Sequence, residues 1–145
     1  MTREEKYLVF QDLCARLPYH VKCKVWLKDG TTEEGPLDLQ HNYGDVLRDA
    51  FFYHEIKDIR PYLRPMSSMT EEEKRELQSF FPGSFGNQWL DLEAGYIDIY
   101  ECESTTRLYL YDANRLIDWL NKKMFDYRGL IPRGCALSTE VFNPY

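Results

Sequence analysis

The chain has 145 residues, of which 43% are hydrophobic and 15% aromatic, and its formal net charge is −6. This length is near the commonest size of one domain, and the apolar content is too high for a disordered chain, so a single domain over residues 1–145 is predicted. The negative charge repels phosphates at long range and argues against binding to duplex nucleic acid.

The N-terminal segment and the cysteines indicate a cytoplasmic protein without a membrane anchor. Residues 1–6 are charged and lack the apolar run of a signal peptide, and no apolar stretch approaches the ~18 residues of a membrane span. The four cysteines never form a C-x-x-C pair. Buried free thiols are therefore expected at Cys14, Cys23, Cys102 and Cys135.

The first predicted element is an amphipathic helix from Arg3 to Leu17, stopped by Pro18. Its apolar positions recur at helical spacing, while charged residues fill the other side. The stripe that we expect to face the core consists of Val9, Phe10, Leu13, Cys14 and Leu17.

A bent antiparallel sheet is predicted to follow. Residues 21–27 alternate between apolar and lysine-rich positions, as in a half-buried strand, and Asp29-Gly30 favours a tight hairpin turn into residues 31–40, with a bulge or bend at Gly35-Pro36. Two further strand-like runs cover residues 46–53 and 55–63. An SH3-like small barrel is one form that such a sheet could take.

The second half of the chain predicts two helices and a hairpin. Thr70 and Glu73 have the spacing of a capping box before a helix over residues 71–81, which ends at Pro82-Gly83 and a loop. Residues 96–102 and 106–111 are expected to form a second β-hairpin. Asp112 is expected to cap a helix that runs to Met124, before a turn and an extended tail. The fold class is therefore α+β with about three helices.

Few residues suggest catalysis or metal binding. His20 and Cys23 resemble half of a zinc site, but residues three apart on a strand point to opposite faces. His41, Asp45 and His54 could converge for acid–base chemistry or metal binding, although polar residues beside a turn are more often turn formers. No nucleophile motif is recognisable. We therefore expect no cofactor and no bound metal.

Aromatic content is the feature that most exceeds the background, with 11 tyrosines and 8 phenylalanines. Tyrosine combines a large apolar ring with a polar tip, so it is favoured where a surface meets a partner or a flat ligand. The candidate binding residues are Tyr96, Tyr100, Tyr109 and Tyr111. The alternative is that these tyrosines edge the core of a thin domain. A basic strand face of Lys22, Lys24 and Lys28 is also visible and is typical of a solvated edge.

Several longer segments resemble one family. They are residues 12–23 (DLCARLPYHVKC), 59–73 (IRPYLRPMSSMTEEE), 118–121 (DWLN) and 125–131 (FDYRGLI). They are similar to small uncharacterised proteins of Bacteroidales genomes and of their phages or mobile elements. The resemblance implies a bacterial or phage cytoplasm as the setting, and it implies no mechanism.

The sequence favours a non-catalytic binding module that holds a protein partner or a small ligand, as a phage or mobile-element accessory protein. Two alternatives stay open. One is a small enzyme that uses His41, Asp45 and His54, and the other is a phage protein that sequesters a host signalling nucleotide. A homodimer is also compatible with the sequence.

Overall fold

A computed structural model describes residues 1–37, 56–78, 110–141 and 145. Three α-helices and four strands lie in these segments, which confirms the α+β class. In chain order they are α1 (Arg3–Arg16), β1 (Lys22–Leu27), β2 (Thr32–Pro36), β3 (Ile56–Leu63), α2 (Glu71–Gln78), α3 (Leu110–Lys122) and β4 (Leu137–Ser138). Short 3₁₀ turns follow α1 at Leu17–Tyr19 and follow β3 at Met66–Ser68.

Helix α1 matches its prediction to within one residue at the C-terminal end. It begins with a capping box, in which the Glu5 backbone N–H donates to Thr2 Oγ1 at 3.2 Å and the Thr2 N–H donates to Glu5 Oε2 at 2.7 Å. Pro18 lies in the 3₁₀ turn, and His20 then adopts a left-handed conformation with φ of 55°. This turn redirects the chain into β1.

The strands form one open sheet in the order β2-β1-β3-β4. Strand β1 is antiparallel to both neighbours, as predicted, and Gly30 provides the turn to β2 with φ of 89°. The pairing of β1 with β2 continues in regular register through Gly35 to Pro36, so the bulge that was one of the two predicted forms is absent there. The short strand β4 pairs parallel to β3, which was not predicted, and no barrel closes within the described strands.

The core has two parts. The inner face of the sheet packs against α1, and this cluster includes Val9, Leu13, Cys23, Ile59 and Leu63. A second cluster joins the 3₁₀ turn after β3 to α2 and α3 through Met66, Leu77, Leu120 and Phe125, with Trp119 stacked on Phe125 at 5.7 Å between ring centroids. The segment that follows α3 contributes to both clusters and therefore joins them.

A buried ion pair ties α1 to the end of α3. Arg16 Nε donates to Asp12 Oδ2 at 2.8 Å, one turn apart on α1, and both side chains are 0% exposed. The same guanidinium donates to the backbone carbonyls of Asn121 at 3.3 Å and Phe125 at 2.8 Å. Arg128 Nε lies 3.3 Å from Asp12 Oδ1. The carboxylate therefore faces two guanidinium groups, which offsets part of its desolvation.

The loop after α3 is also held by a buried carboxylate. Asp126 accepts hydrogen bonds from the backbone N–H groups of Leu130 at 2.7 Å and Ile131 at 2.8 Å, and burial raises its pKa. Gly129 supplies the positive φ, 67°, that the turn requires.

The helix boundaries in the second half correct several predictions. The capping box of α2 is confirmed, with Thr70 N–H donating to Glu73 Oε2 at 3.0 Å and Glu73 N–H donating to Thr70 Oγ1 at 3.2 Å. Helix α3 begins at Leu110, two residues before the expected cap, so the strand predicted through Tyr111 is wrong at its last two residues. Leu110 stands three residues before Ala113 and extends the helical spacing, which here outweighs β propensity.

The C-terminal end of α3 lies before the predicted one, because Met124 adopts a left-handed conformation with φ of 61°. Helical spacing in the sequence also predicts an apolar stripe on α3 that includes Ile117, but Ile117 is exposed. Cys23 and Cys135 are buried thiols as predicted, whereas Cys14 is exposed on α1 and Cys102 lies outside the described residues. None of the helices in the described segments has the length and apolar character needed to cross a bilayer.

Replacing Asp12 by Asn should lower the free energy of unfolding by about 3 kcal/mol, because Arg16 would keep its charge in the interior without a carboxylate. Urea denaturation at pH 7 measures this loss. Glu71→Gln is the matched control, since it removes an exposed carboxylate from a helical ion pair with Lys74 and should change the stability much less. Equal effects of the two substitutions would contradict a stabilising role for the buried pair.

Candidate functional site

A basic cleft is the candidate site. It is an open depression of about 690 Å³ where the start of β1, the end of α3 and Tyr145 meet. Its basic lining residues are His20, Lys22, Arg64, Lys122 and Lys123. No aspartate or glutamate is among the described residues that line it. One sign of charge is thus concentrated here in a chain whose net charge is −6.

A second open cleft differs from the basic cleft in its charge. It has a volume of about 620 Å³ and lies at the first turn of α1. Arg3 and Arg133 line it together with Glu4 and Glu5, so its charges offset one another. Only the basic cleft, of these two, presents a uniform charge to a ligand.

Separate parts of the chain supply the basic side chains, and the fold explains why they meet. His20 follows the 3₁₀ turn after α1, and Lys22 opens β1. Lys122 and Lys123 stand at the C-terminal end of α3, where the helix dipole favours cations. Because Arg16 binds the carbonyls of Asn121 and Phe125, the end of α3 is fixed beside the turn that carries His20.

Arg64 joins the cleft through backbone pairing. Its N–H donates to the Met124 carbonyl and its own carbonyl accepts from the Asp126 N–H, both at 2.8 Å. This bridge places the residue after β3 against the segment after α3. The Arg64 guanidinium lies 4.3 Å from the centroid of the Phe125 ring, a cation–π contact that orients the side chain.

Glu73 on α2 offsets part of the positive charge of the basic cleft. Its carboxylate accepts a bidentate pair of hydrogen bonds from Arg64, at 2.8 and 2.9 Å, and lies 3.8 Å from Lys123 Nζ. The Arg64 hydrogen bonds, assisted by the Thr70 N–H, lower the pKa of Glu73 to about 2. Arg64 is therefore held in an ion pair with Glu73, and Lys123 Nζ also lies 3.4 Å from Glu76 Oε2. Lys122 is exposed and has no acidic partner among the described residues.

Tyr145 lies at the rim of the basic cleft and is anchored by its hydroxyl. The hydroxyl accepts from the Lys22 backbone N–H at 3.0 Å and donates to the Tyr62 carbonyl at 3.1 Å. Burial of this oxygen raises the pKa of Tyr145 to about 12. Lys22 Nζ lies 5.4 Å from the ring centroid, and the residue as a whole stays 50% exposed.

The lysines of the basic strand face predicted on β1 have different surroundings. Lys22 belongs to the basic cleft, whereas Lys24 pairs with Glu34 on β2 at 2.7 Å. Lys24 and Arg60 both lie over the Trp26 ring, at 5.7 and 5.4 Å, and Arg60 also pairs with Asp58 at 2.8 Å. This part of the sheet face is therefore charge-balanced.

The residues proposed from the sequence are mostly not tested by the structure. Tyr96, Tyr100 and Tyr109 lie outside the described residues, as do His41, Asp45 and His54, and these assignments stay predictions. The backbone of Tyr111 lies in the first turn of α3 and not in a strand. Within residues 1–37, 56–78, 110–141 and 145, no three His, Cys, Asp or Glu side chains are grouped closely enough to hold a metal ion.

Sequence reasoning missed the basic cleft. Its local signals are Lys22 on the lysine-bearing strand and the Lys122-Lys123 pair. Both are equally expected without a site, the first at a solvated strand edge and the second from the helix dipole. A comparison of the chain with protein-family models, curated proteins and solved structures found no match.

Substituting Glu73 by Gln should reveal a pH-dependent contribution to stability. A carboxyl whose folded pKa is depressed stabilises the fold above its unfolded pKa of about 4.5, and the contribution is lost as the pH falls towards 2. We expect Glu73→Gln to lower the free energy of unfolding by about 2 kcal/mol at pH 7. Near pH 2, this gap in the free energy of unfolding between the variant and the wild type should close.

Urea denaturation between pH 2 and pH 7 measures this gap. Glu72→Gln is a control on the same helix, because Glu72 is exposed and lies 4.0 Å from its partner Arg75, and it should alter the stability much less. A gap that is the same size at both ends of the pH range would contradict the ionised Arg64–Glu73 contact.

Proposed function

We propose that this protein is a non-catalytic binding module that holds a small phosphate-bearing ligand in the basic cleft. The observation that carries the proposal is the gathering of five basic side chains, from three separate parts of the chain, on one concave surface. The chain has 24 acidic and 18 basic residues, so its overall composition favours the opposite sign. Clefts lined by one sign of charge raise the local concentration of the opposite ion.

The dimensions of the cleft favour a small ligand over a long polyanion. Its volume of about 690 Å³ lies in the ~300–1,000 Å³ range of small-molecule sites. Beyond the cleft, Lys24 and Arg60 are already paired with Glu34 and Asp58, so the basic track does not continue along the sheet. Together with the net negative charge, this disfavours an extended nucleic-acid backbone.

The chemistry of the lining groups suits binding. The Arg64 guanidinium is oriented by Glu73 and Phe125, and the lysines offer flexible ammonium donors. The Tyr145 hydroxyl has a pKa of about 12 and is engaged by backbone groups, so it is not a proton donor poised for catalysis. These groups would hold an anion by charge-assisted hydrogen bonds.

The proposal keeps the setting implied by the sequence resemblance, a bacterial or phage cytoplasm. It also keeps the accessory role expected for a phage or mobile-element protein. The acid–base enzyme built on His41, Asp45 and His54 remains a separate prediction for residues outside those described.

Charge reversal at Lys122 tests the proposal. With inorganic tripolyphosphate as the probe, isothermal titration calorimetry in a buffer of about 0.1 M ionic strength, where the Debye length is about 10 Å, should give a Kd below about 1 mM for the wild type. Lys122→Glu should weaken binding at least about tenfold, because it places a like charge beside the anion. Raising the salt concentration should weaken wild-type binding as well.

Lys57→Glu is the matched control, since it makes the same charge change at an exposed position on β3. It stands seven residues before Arg64, roughly 23 Å along the strand. Binding should change less than about twofold in this variant, because salt screens charges over such distances. Absence of tripolyphosphate binding, or equal losses in both variants, would overturn the proposed site.

A further inference from the structure

Tyr145 lines the basic cleft with an aromatic ring, a feature that the binding of a phosphate group does not require. Its hydroxyl is held between the backbone of β1 and that of β3, at 3.0 Å from the Lys22 nitrogen and 3.1 Å from the Tyr62 oxygen. The residue nevertheless remains 50% exposed. The ring is thus fixed at its hydroxyl end in a residue that lines the cleft and is half exposed.

This anchoring makes the ring a preorganised platform. Most exposed tyrosines lose rotamer freedom when a ligand orders them, which weakens binding. Two hydrogen bonds to the backbone of neighbouring strands already restrict Tyr145. Lys22 Nζ, at 5.4 Å from the ring centroid, adds a further restraint. A planar ligand that stacked on this ring would therefore lose little additional freedom.

The Tyr145 ring and the basic residues lie in the same cleft. Tyr145 lines it together with His20, Lys122 and Lys123. A ligand that matches both features needs a flat ring joined through a short linker to a group with several negative charges. Stacking on an aromatic side chain tolerates any base, because every base has a π face.

We propose that the ligand of the basic cleft is a nucleoside phosphate, with its base stacked on Tyr145 and its phosphates directed to the basic residues. This inference rests on the proposed function, because it takes the cleft to be the anion site. The base is recognised by its ring face and the phosphates by their charge, so a polyphosphorylated nucleotide should bind more tightly than the same phosphate chain without a nucleoside.

The test compares ATP, inorganic tripolyphosphate and adenosine by isothermal titration calorimetry in magnesium-free buffer. For the wild type, ATP should bind at least about fivefold more tightly than tripolyphosphate, and adenosine should bind more weakly than ATP. Tyr145→Leu should weaken ATP binding to near the tripolyphosphate value. It should leave tripolyphosphate binding within about twofold of the wild type.

The control is Tyr7→Leu, which removes an exposed tyrosine from α1 outside the basic cleft and should leave all three affinities unchanged. If tripolyphosphate binds and ATP binds no more tightly, the nucleoside inference is overturned while the anion site stands. If tripolyphosphate does not bind, the proposed function itself fails. If Tyr145→Leu weakens ATP and tripolyphosphate equally, Tyr145 only supports the shape of the cleft, and the inference is likewise overturned.

Discussion

The buried guanidinium of Arg16 is the contact on which the arrangement of the molecule depends. A fully buried cation requires a carboxylate and further acceptors, and Arg16 finds them in Asp12 on its own helix and in the carbonyls of Asn121 and Phe125. The two carbonyls belong to the end of α3 and the segment after it, more than 100 positions away in the chain. Because each acceptor must lie within hydrogen-bonding distance, the ion pair fixes α1 and the end of α3 at one relative position.

The basic cleft is a consequence of that position. One wall follows α1 directly, through the turn that presents His20, and the opposite wall is the end of α3 with Lys122 and Lys123. Bringing the lysines and Arg64 together costs electrostatic energy, which Glu73 offsets by binding Arg64 and lying near Lys123. Lys122 remains exposed, so the cleft keeps positive potential for a ligand. The basic residues therefore have two roles. Arg64 and Lys123 interact with Glu73 and stabilise the fold, whereas the exposed Lys122 is available to a ligand.

Local sequence signals were reliable where one short segment satisfies its own hydrogen bonds. The capping box at Thr70 and Glu73, the end of α1 near Pro18 and the Asp29-Gly30 hairpin were each predictable because the partners lie within a few residues.

Prediction failed where a distant contact decided the outcome. Strand β4 pairs with the edge of β3, far away in the chain. A second failure was local: Leu110 and Tyr111 were predicted to end a strand, but they begin α3 because the helical spacing extends back to Leu110. The tyrosines and histidines singled out from the sequence lie almost wholly outside the described residues, so their roles stay predictions.

The sequence by itself determined the α+β class, the antiparallel pairing of the first strands and the capping box of α2, since periodicity and turn chemistry act over a few residues. Only the tertiary structure decided which charges meet. His20, Arg64 and Lys122 carry no shared motif, and each is typical of a solvated surface when read along the chain. They become one site because a buried ion pair and a backbone bridge join segments that the sequence keeps far apart. Electrostatic potential depends on distances in space, and the linear order of residues does not contain those distances.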